Sequence, residues 1–195
     1  MKQALLIIDV QRDFCEGGVL SARDTHSLIQ PLNEAISWCV EHDIVCVFTR
    51  DWHPSDHCSF ISQSGTWPTH CVQGTSGAEF ADGLNIPVSA LVIDKDSDKD
   101  TMSYSAFGNT NLDKKLQQIG IIEVAATGIA TDYTVRETVI DALRCGFKVS
   151  VLIDLIRPID VKQGDSDKAL NDMKTAGASL LTSKEWLQKV SYARG

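Results

Sequence analysis

Basic residues are scarce in this chain: 18 Lys and Arg stand against 26 Asp and Glu, a formal net charge of -8. Nucleic-acid binding draws on clustered Lys and Arg to neutralise phosphates, so that class of partner is set aside. Long hydrophobic runs are missing as well. The apolar stretch in MKQALLIIDVQRDF ends at Asp9 after a few residues, too short for a membrane span or the core of a signal peptide. A cytoplasmic protein with no membrane partner is therefore expected. No Cys-x-x-Cys pair occurs among the six cysteines (Cys15, Cys39, Cys46, Cys58, Cys71, Cys145), and all sit within apolar patterns. That suits reduced, buried thiols better than a disulfide framework. Repeats and low-complexity segments are also absent, and 195 residues with 43% hydrophobic content suit one core.

What is present is an alternation of short β-branched runs with amphipathic stretches. Ala4 to Asp9 reads as a strand, SLIQPLNEAISWCVEH as a helix and Ile44 to Arg50 as the next strand. The pattern resumes with a strand from Ala90 to Asp94, a polar helix near Asn111 to Gln118 and a strand from Ile121 to Gly128. A helix from Val135 to Arg144, a strand from Lys148 to Asp154, a helix from Lys168 to Thr175 and a strand from Ala178 to Thr182 follow. Continuously apolar strands alternating with helices predict an α/β fold: a single-domain, doubly wound parallel sheet with helices on both faces, spanning 1–195. Such sheets bind ligands at the carboxyl ends of their strands. Between Trp52 and Pro87 the text turns polar and rich in Gly, Ser, His and Pro, which reads as a long functional loop.

Reactive side chains fall at those strand ends. Asp9 ends the first strand, Asp51 and His53 follow the second, Lys95 the third and Thr134 the fourth. Each alone has an ordinary explanation, since Asp often ends a strand at a turn and Lys often decorates a loop. Their joint placement on one rim argues for a site. Asp51 and His53, two apart on an extended segment, share a face and can bind one ion, with His57 and His70 available from the loop. One carboxylate with several imidazoles suits a divalent metal: zinc first, with iron or manganese as alternatives. The metal-binding loop is thus expected over about residues 51–87. His26 and His42, on or beside the first helix, are read as surface residues.

The blocks IIDVQRDFCEGGVL, TRDWHPSDHCSF, WPTHCVQGTSGAEF, a lysine before SYSAF, and TGIATDYTVRETVIDALRCGFKV together resemble the nicotinamidase (pyrazinamidase/nicotinamidase) family of the isochorismatase-like hydrolases. The likeness covers nearly the whole chain. It implies hydrolysis of nicotinamide to nicotinate and ammonia in NAD salvage, with Asp9 as acid/base and Lys95 as the charge beside the nucleophile. Lys99 competes for that role, but Lys95 keeps the family's distance to Tyr104, while Lys99 sits in the charged run DKDSDKD. The implied metal ligands are Asp51, His53 and His70, with His57 a fourth. The resemblance also implies a cis bond at Ile129 and Ala130 and an oxyanion site from the amides of Ala130 and Thr134. Phe14, Trp67, Tyr104 and Tyr133 would wall a pyridine ring whose nitrogen faces the metal. Homo-oligomers are common in the superfamily, so one is expected.

One residue departs from the family. Where nicotinamidases continue ATDY with cysteine, this chain has Thr134. An aliphatic hydroxyl loses its proton far less readily than a thiol of pKa ~8.5. A threonine nucleophile would need a true general base, and its extra methyl restricts its rotamers. Slow or absent turnover is therefore expected. Thr134 with Glu137 also forms a capping-box pattern for the helix that follows. Two alternatives stand beside the amidase: a non-catalytic pyridine binder, and an isochorismatase-branch hydrolase that needs no thiol.

Overall fold

A computed structural model describes residues 2–194. Six parallel strands form one sheet: β1 (Gln3–Ile8), β2 (Val45–Asp51), β3 (Leu91–Lys95), β4 (Glu123–Ile129), β5 (Lys148–Arg157) and β6 (Ser179–Leu181). Their spatial order is β3-β2-β1-β4-β5-β6, the doubly wound arrangement expected from the alternating pattern. Among the described residues five α-helices cover the sheet: α1 (His26–Glu41), α2 (Leu112–Gln118), α3 (Arg136–Arg144), α4 (Asp165–Ala176) and α5 (Ser183–Arg194). No described helix is long and apolar enough to cross a membrane.

The two faces can be read residue by residue in β1. Leu5 and Ile7 pack toward α1 (Leu28, Leu32, Ile36) and α5 (Trp186, Val190). Ala4, Leu6 and Ile8 pack toward α2 (Leu112, Leu116), α3 (Val139, Ala142) and α4 (Met173). All six residues of β1 are buried, as a central strand covered on both faces requires. No cysteine is joined in a disulfide; Cys39, Cys46 and Cys71 are buried as expected, while Cys15, Cys58 and Cys145 are only half-buried.

The sequence reading stopped at the last strand and missed α5. Its start is a capping box. The Thr182 amide and hydroxyl both donate to Glu185 Oε2, at 2.7 and 2.8 Å, and the Glu185 amide donates back to Thr182 Oγ1 at 3.3 Å. Trp186 and Val190, four residues apart and fully buried, then seat the helix on the sheet.

The order of winding reverses between β1 and β4, so their carboxyl ends open a crevice at the switch point. Gly128 makes the close approach possible there. Its φ is +110°, and a Cβ at this position would lie 2.1 Å from the Ile8 carbonyl oxygen. Asp9 leaves β1 on one side of the crevice, and the Ile129–Ala130 peptide, which is cis, leaves β4 on the other.

Candidate active site

Three buried charges meet at this crevice. Lys95 Nζ lies 3.1 Å from Asp9 Oδ2 and also donates a short hydrogen bond to Asp51 Oδ1. Lys95 is 2% exposed and Asp9 is fully enclosed, whereas Lys99, the competing lysine, is exposed. Burial alone would raise the Asp51 carboxyl, but the Lys95 ammonium and then His53 more than reverse this and hold it well below the usual range. Burial also dominates Asp9, and there the Lys95 charge compensates only in part, leaving its pKa raised to about 6. Lys95 is held well above its ordinary value by Asp51 and Asp9 against the cost of burial. Two carboxylates sharing one ammonium thus take opposite characters, one firmly ionised and one close to titration.

Beside them, ligand atoms of Asp51, His53 and His70 lie within 4.8 Å of one another, and all three residues are buried. His53 Nε2 and His70 Nε2 stand 3.5 and 3.8 Å from Asp51 Oδ2. His53 Nδ1 lies 3.3 Å from the Asp96 carbonyl and His70 Nδ1 2.7 Å from the Pro68 carbonyl. A carbonyl can only accept, so both Nδ1 atoms donate and both Nε2 atoms are turned toward Asp51. Burial lowers the pKa of His70, which keeps that ring neutral. Imidazoles oriented by carbonyls and converging on a carboxylate fit a divalent ion.

His57 does not join this group, and the expectation of a fourth ligand is corrected. Its Nδ1 is 2.7 Å from the Ser59 hydroxyl and its Nε2 donates to the Thr101 carbonyl at 2.8 Å, so both ring nitrogens are taken. The ring instead stacks on His53 at 4.2 Å between centroids. Phe60, fully buried, stands edge-on to His53, His57 and His70 at 5.5, 5.7 and 5.5 Å.

Thr134 also departs from expectation. It does not cap α3, because a π-helical turn, Thr131–Val135, runs directly into the helix and the first-turn Glu137 pairs with Arg136. Its hydroxyl turns back instead. Oγ1 accepts the Ala130 amide at 3.0 Å and donates to the Ile129 carbonyl at 2.6 Å.

Between these groups lies a cavity of about 480 Å³, counting the space open to solvent. Lys95, Asp51, His53, His70, Ala130 and Thr134 line its reactive end. Phe14, Trp67, Tyr104 and Tyr133 line the rest, with Leu20, Met102 and Ile159, which the sequence reading did not single out. Trp67 Nε1 donates to the Tyr104 hydroxyl at 2.9 Å, and Tyr133 stands edge-on to Trp67 at 5.1 Å between centroids. Phe14 packs edge-on to His70 at 5.7 Å. Of the residues expected at the site, all but Asp9 and His57 line this cavity: Asp9 is fully enclosed and meets it through Lys95, and His57 turns its nitrogens to Ser59 and Thr101.

Two supporting residues escaped the sequence reading. Gln11, fully buried, donates to the Asp51 carbonyl at 2.8 Å and accepts the Asp51 amide at 2.8 Å, clamping that backbone from both sides. Thr49 donates to Asp9 Oδ1 at 2.6 Å. The only signal for either was position: Gln11 is two residues past Asp9, and Thr49 two before Asp51 on the same strand.

A parallel α/β sheet with a buried acid–amine pair and a hydroxyl at its switch point defines a hydrolase class. The Isochorismatase domain model matches residues 3–185, and the chain belongs to that family. Its relatives within that family include nicotinamidases and pyrazinamidases. The chain is 37% identical to the nicotinamidase of Escherichia coli, covering 94% of this chain and 96% of that one. It is 38% identical to the nicotinamidase/pyrazinamidase of Mycobacterium tuberculosis, covering 93% and 99%. Among solved structures, the pyrazinamidase of Pyrococcus horikoshii in complex with zinc superposes with a TM-score of 0.89 at 41% identity, over 93% of this chain and 99% of that one.

Proposed function

We propose that the chain is an amidohydrolase that converts nicotinamide to nicotinate and ammonia in NAD salvage, in the cytoplasm, at a rate held down by Thr134. The observation that carries this reading is the convergence on one aromatic-walled cavity of Lys95, Thr134 and the Asp51-His53-His70 cluster, with Asp9 bound to Lys95. A divalent ion, zinc first, would be held by Asp51, His53 and His70; when bound it supplies a Lewis-acidic point facing the ring nitrogen. The zinc-bound pyrazinamidase relative supports that choice.

The chain's own residues do the rest. Trp67, Tyr104, Tyr133 and Phe14 hold a flat ring and exclude water from its faces. The amides of Ala130 and Thr134, at the start of a helical segment, are placed to take the oxyanion that develops on the carboxamide. Asp9, close to titration at neutral pH, moves the proton, and Lys95 keeps it from ionising too late. A threonine hydroxyl at the attack position makes the covalent route slow.

The test is ammonia release from nicotinamide by the zinc-loaded protein and by Thr134→Cys. A large gain in the cysteine form supports the amidase. A silent cysteine form that still binds zinc and nicotinamide would leave a pyridine-binding protein. Absence of metal at Asp51 and His53 would instead favour the thiol-independent isochorismatase branch.

A further inference from the structure

The Thr134 hydroxyl cannot be read as a free nucleophile. Its single proton is given to the Ile129 carbonyl at 2.6 Å, and its lone pair receives the Ala130 amide at 3.0 Å. The second contact matters as much as the first, because that amide is one of the two donors placed for the oxyanion. Among the described residues no hydrogen bond or ion pair links Thr134 to Asp9 or Lys95, so neither is set to take its proton. Thr134 is 7% exposed and β-branched, so its rotamers are restricted, and swinging Oγ1 out of this bridge would give up both hydrogen bonds. Asp9 Oδ2, by contrast, is a fully buried carboxylate oxygen that accepts no hydrogen bond among the described residues, with the Lys95 ammonium 3.1 Å away.

We infer that in this chain Thr134 is a plug in the oxyanion site and that water, activated by Asp9, is the attacking group. The inference rests on the amidase reading above. Water oxygen bonds to the carboxamide carbon while one of its protons passes to Asp9 Oδ2. The C–N bond then breaks, and the same proton leaves on nitrogen as ammonia, giving the acid with no ester to residue 134 at any point. Thr134 limits the rate twice over in this scheme, by supplying no nucleophile and by occupying the Ala130 donor.

The rank order of three variants separates a plug from a nucleophile. If the hydroxyl attacks, Thr134→Ser should match or exceed the parent, having the same group with less hindrance, and Thr134→Ala should fall to the uncatalysed background. If the hydroxyl plugs the site, Thr134→Ala should be the fastest of the three. A gain of about tenfold is expected, a modest part of the ~10²–10³ that one oxyanion donor is worth. Zinc-loaded protein and nicotinamide are used throughout, with acid-quenched intact mass as a second readout. The expected result is a faster alanine form and no nicotinoyl adduct on any variant lacking cysteine. An alanine form slower than the parent, or an ester trapped on Thr134, overturns the inference while leaving the amidase intact. Turnover confined to Thr134→Cys, with parent and alanine both silent, overturns it too. Silence in all forms including cysteine means that the amidase reading itself has failed.

Discussion

Replacing Asp9 by Asn should remove turnover and, in the metal-free protein, make the fold more stable at neutral pH. Asp9 is fully enclosed, and its pKa is raised from 3.8 to about 6, burial outweighing the Lys95 charge. In the folded chain this carboxyl keeps its proton where the unfolded chain has already released it. The folded state therefore binds more protons between pH 4 and 6, and stability falls as pH rises through that window. Two pKa units correspond to about 3 kcal/mol at most, at ~1.36 kcal/mol per unit. Asn fits the site: it tolerates the positive φ of 50° at this position, and it can turn its oxygen to Lys95 and its amide to the Thr49 hydroxyl. Urea unfolding of both forms in chelator, from pH 4 to pH 7.5, reads the effect. The stability difference, Asn form minus parent, should grow by about 2–3 kcal/mol across that range. A difference that stays flat, or shrinks as pH rises, would refute the claim that Asp9 is held near titration by burial.

Other substitutions probe the supports. Gln11→Leu keeps the volume but releases the Asp51 backbone, and should weaken zinc binding by ~10–100-fold in chelator competition, the usual cost of losing a partner behind a ligand. His57→Ala should leave zinc stoichiometry unchanged, because both its nitrogens are engaged with Ser59 and Thr101, whereas His70→Ala should abolish binding. Trp186→Ala should destabilise the fold by ~3–5 kcal/mol in denaturant melts without moving the site, since the indole is fully buried under α5.

Much of this architecture was legible because it rests on periodicity. Strands such as Leu5–Ile8 and Val124–Ala126 are apolar on both faces, and the parallel sheet follows from that. The reactive residues were legible because a parallel sheet brings its carboxyl ends to one rim, whatever the loops do. What stayed hidden depends on where a side chain turns. Thr134 and Glu137 carry the spacing of a capping box, yet the π-helical turn leaves no helix start at Thr134 to cap, and the hydroxyl serves the Ile129–Ala130 peptide instead. His57 has the residue type and the position of a ligand, but Ser59 and Thr101 take its nitrogens. Gln11 was passed over because a glutamine carries no charge and no reactive group, and only the fold shows that it clamps Asp51. Helix α5 was readable in principle from Thr182, Glu185, Trp186 and Val190, where a capping box precedes two apolar residues four apart.

The central claim is that the Asp-His-His cluster and the acid–amine pair serve one pyridine pocket. Calorimetric titration of nicotinate into zinc-loaded and metal-free protein tests it most directly. The account predicts binding at least about tenfold tighter in the loaded form, equivalent to ~1.4 kcal/mol, and loss of that gain in His70→Ala. Equal affinity with and without zinc would contradict it.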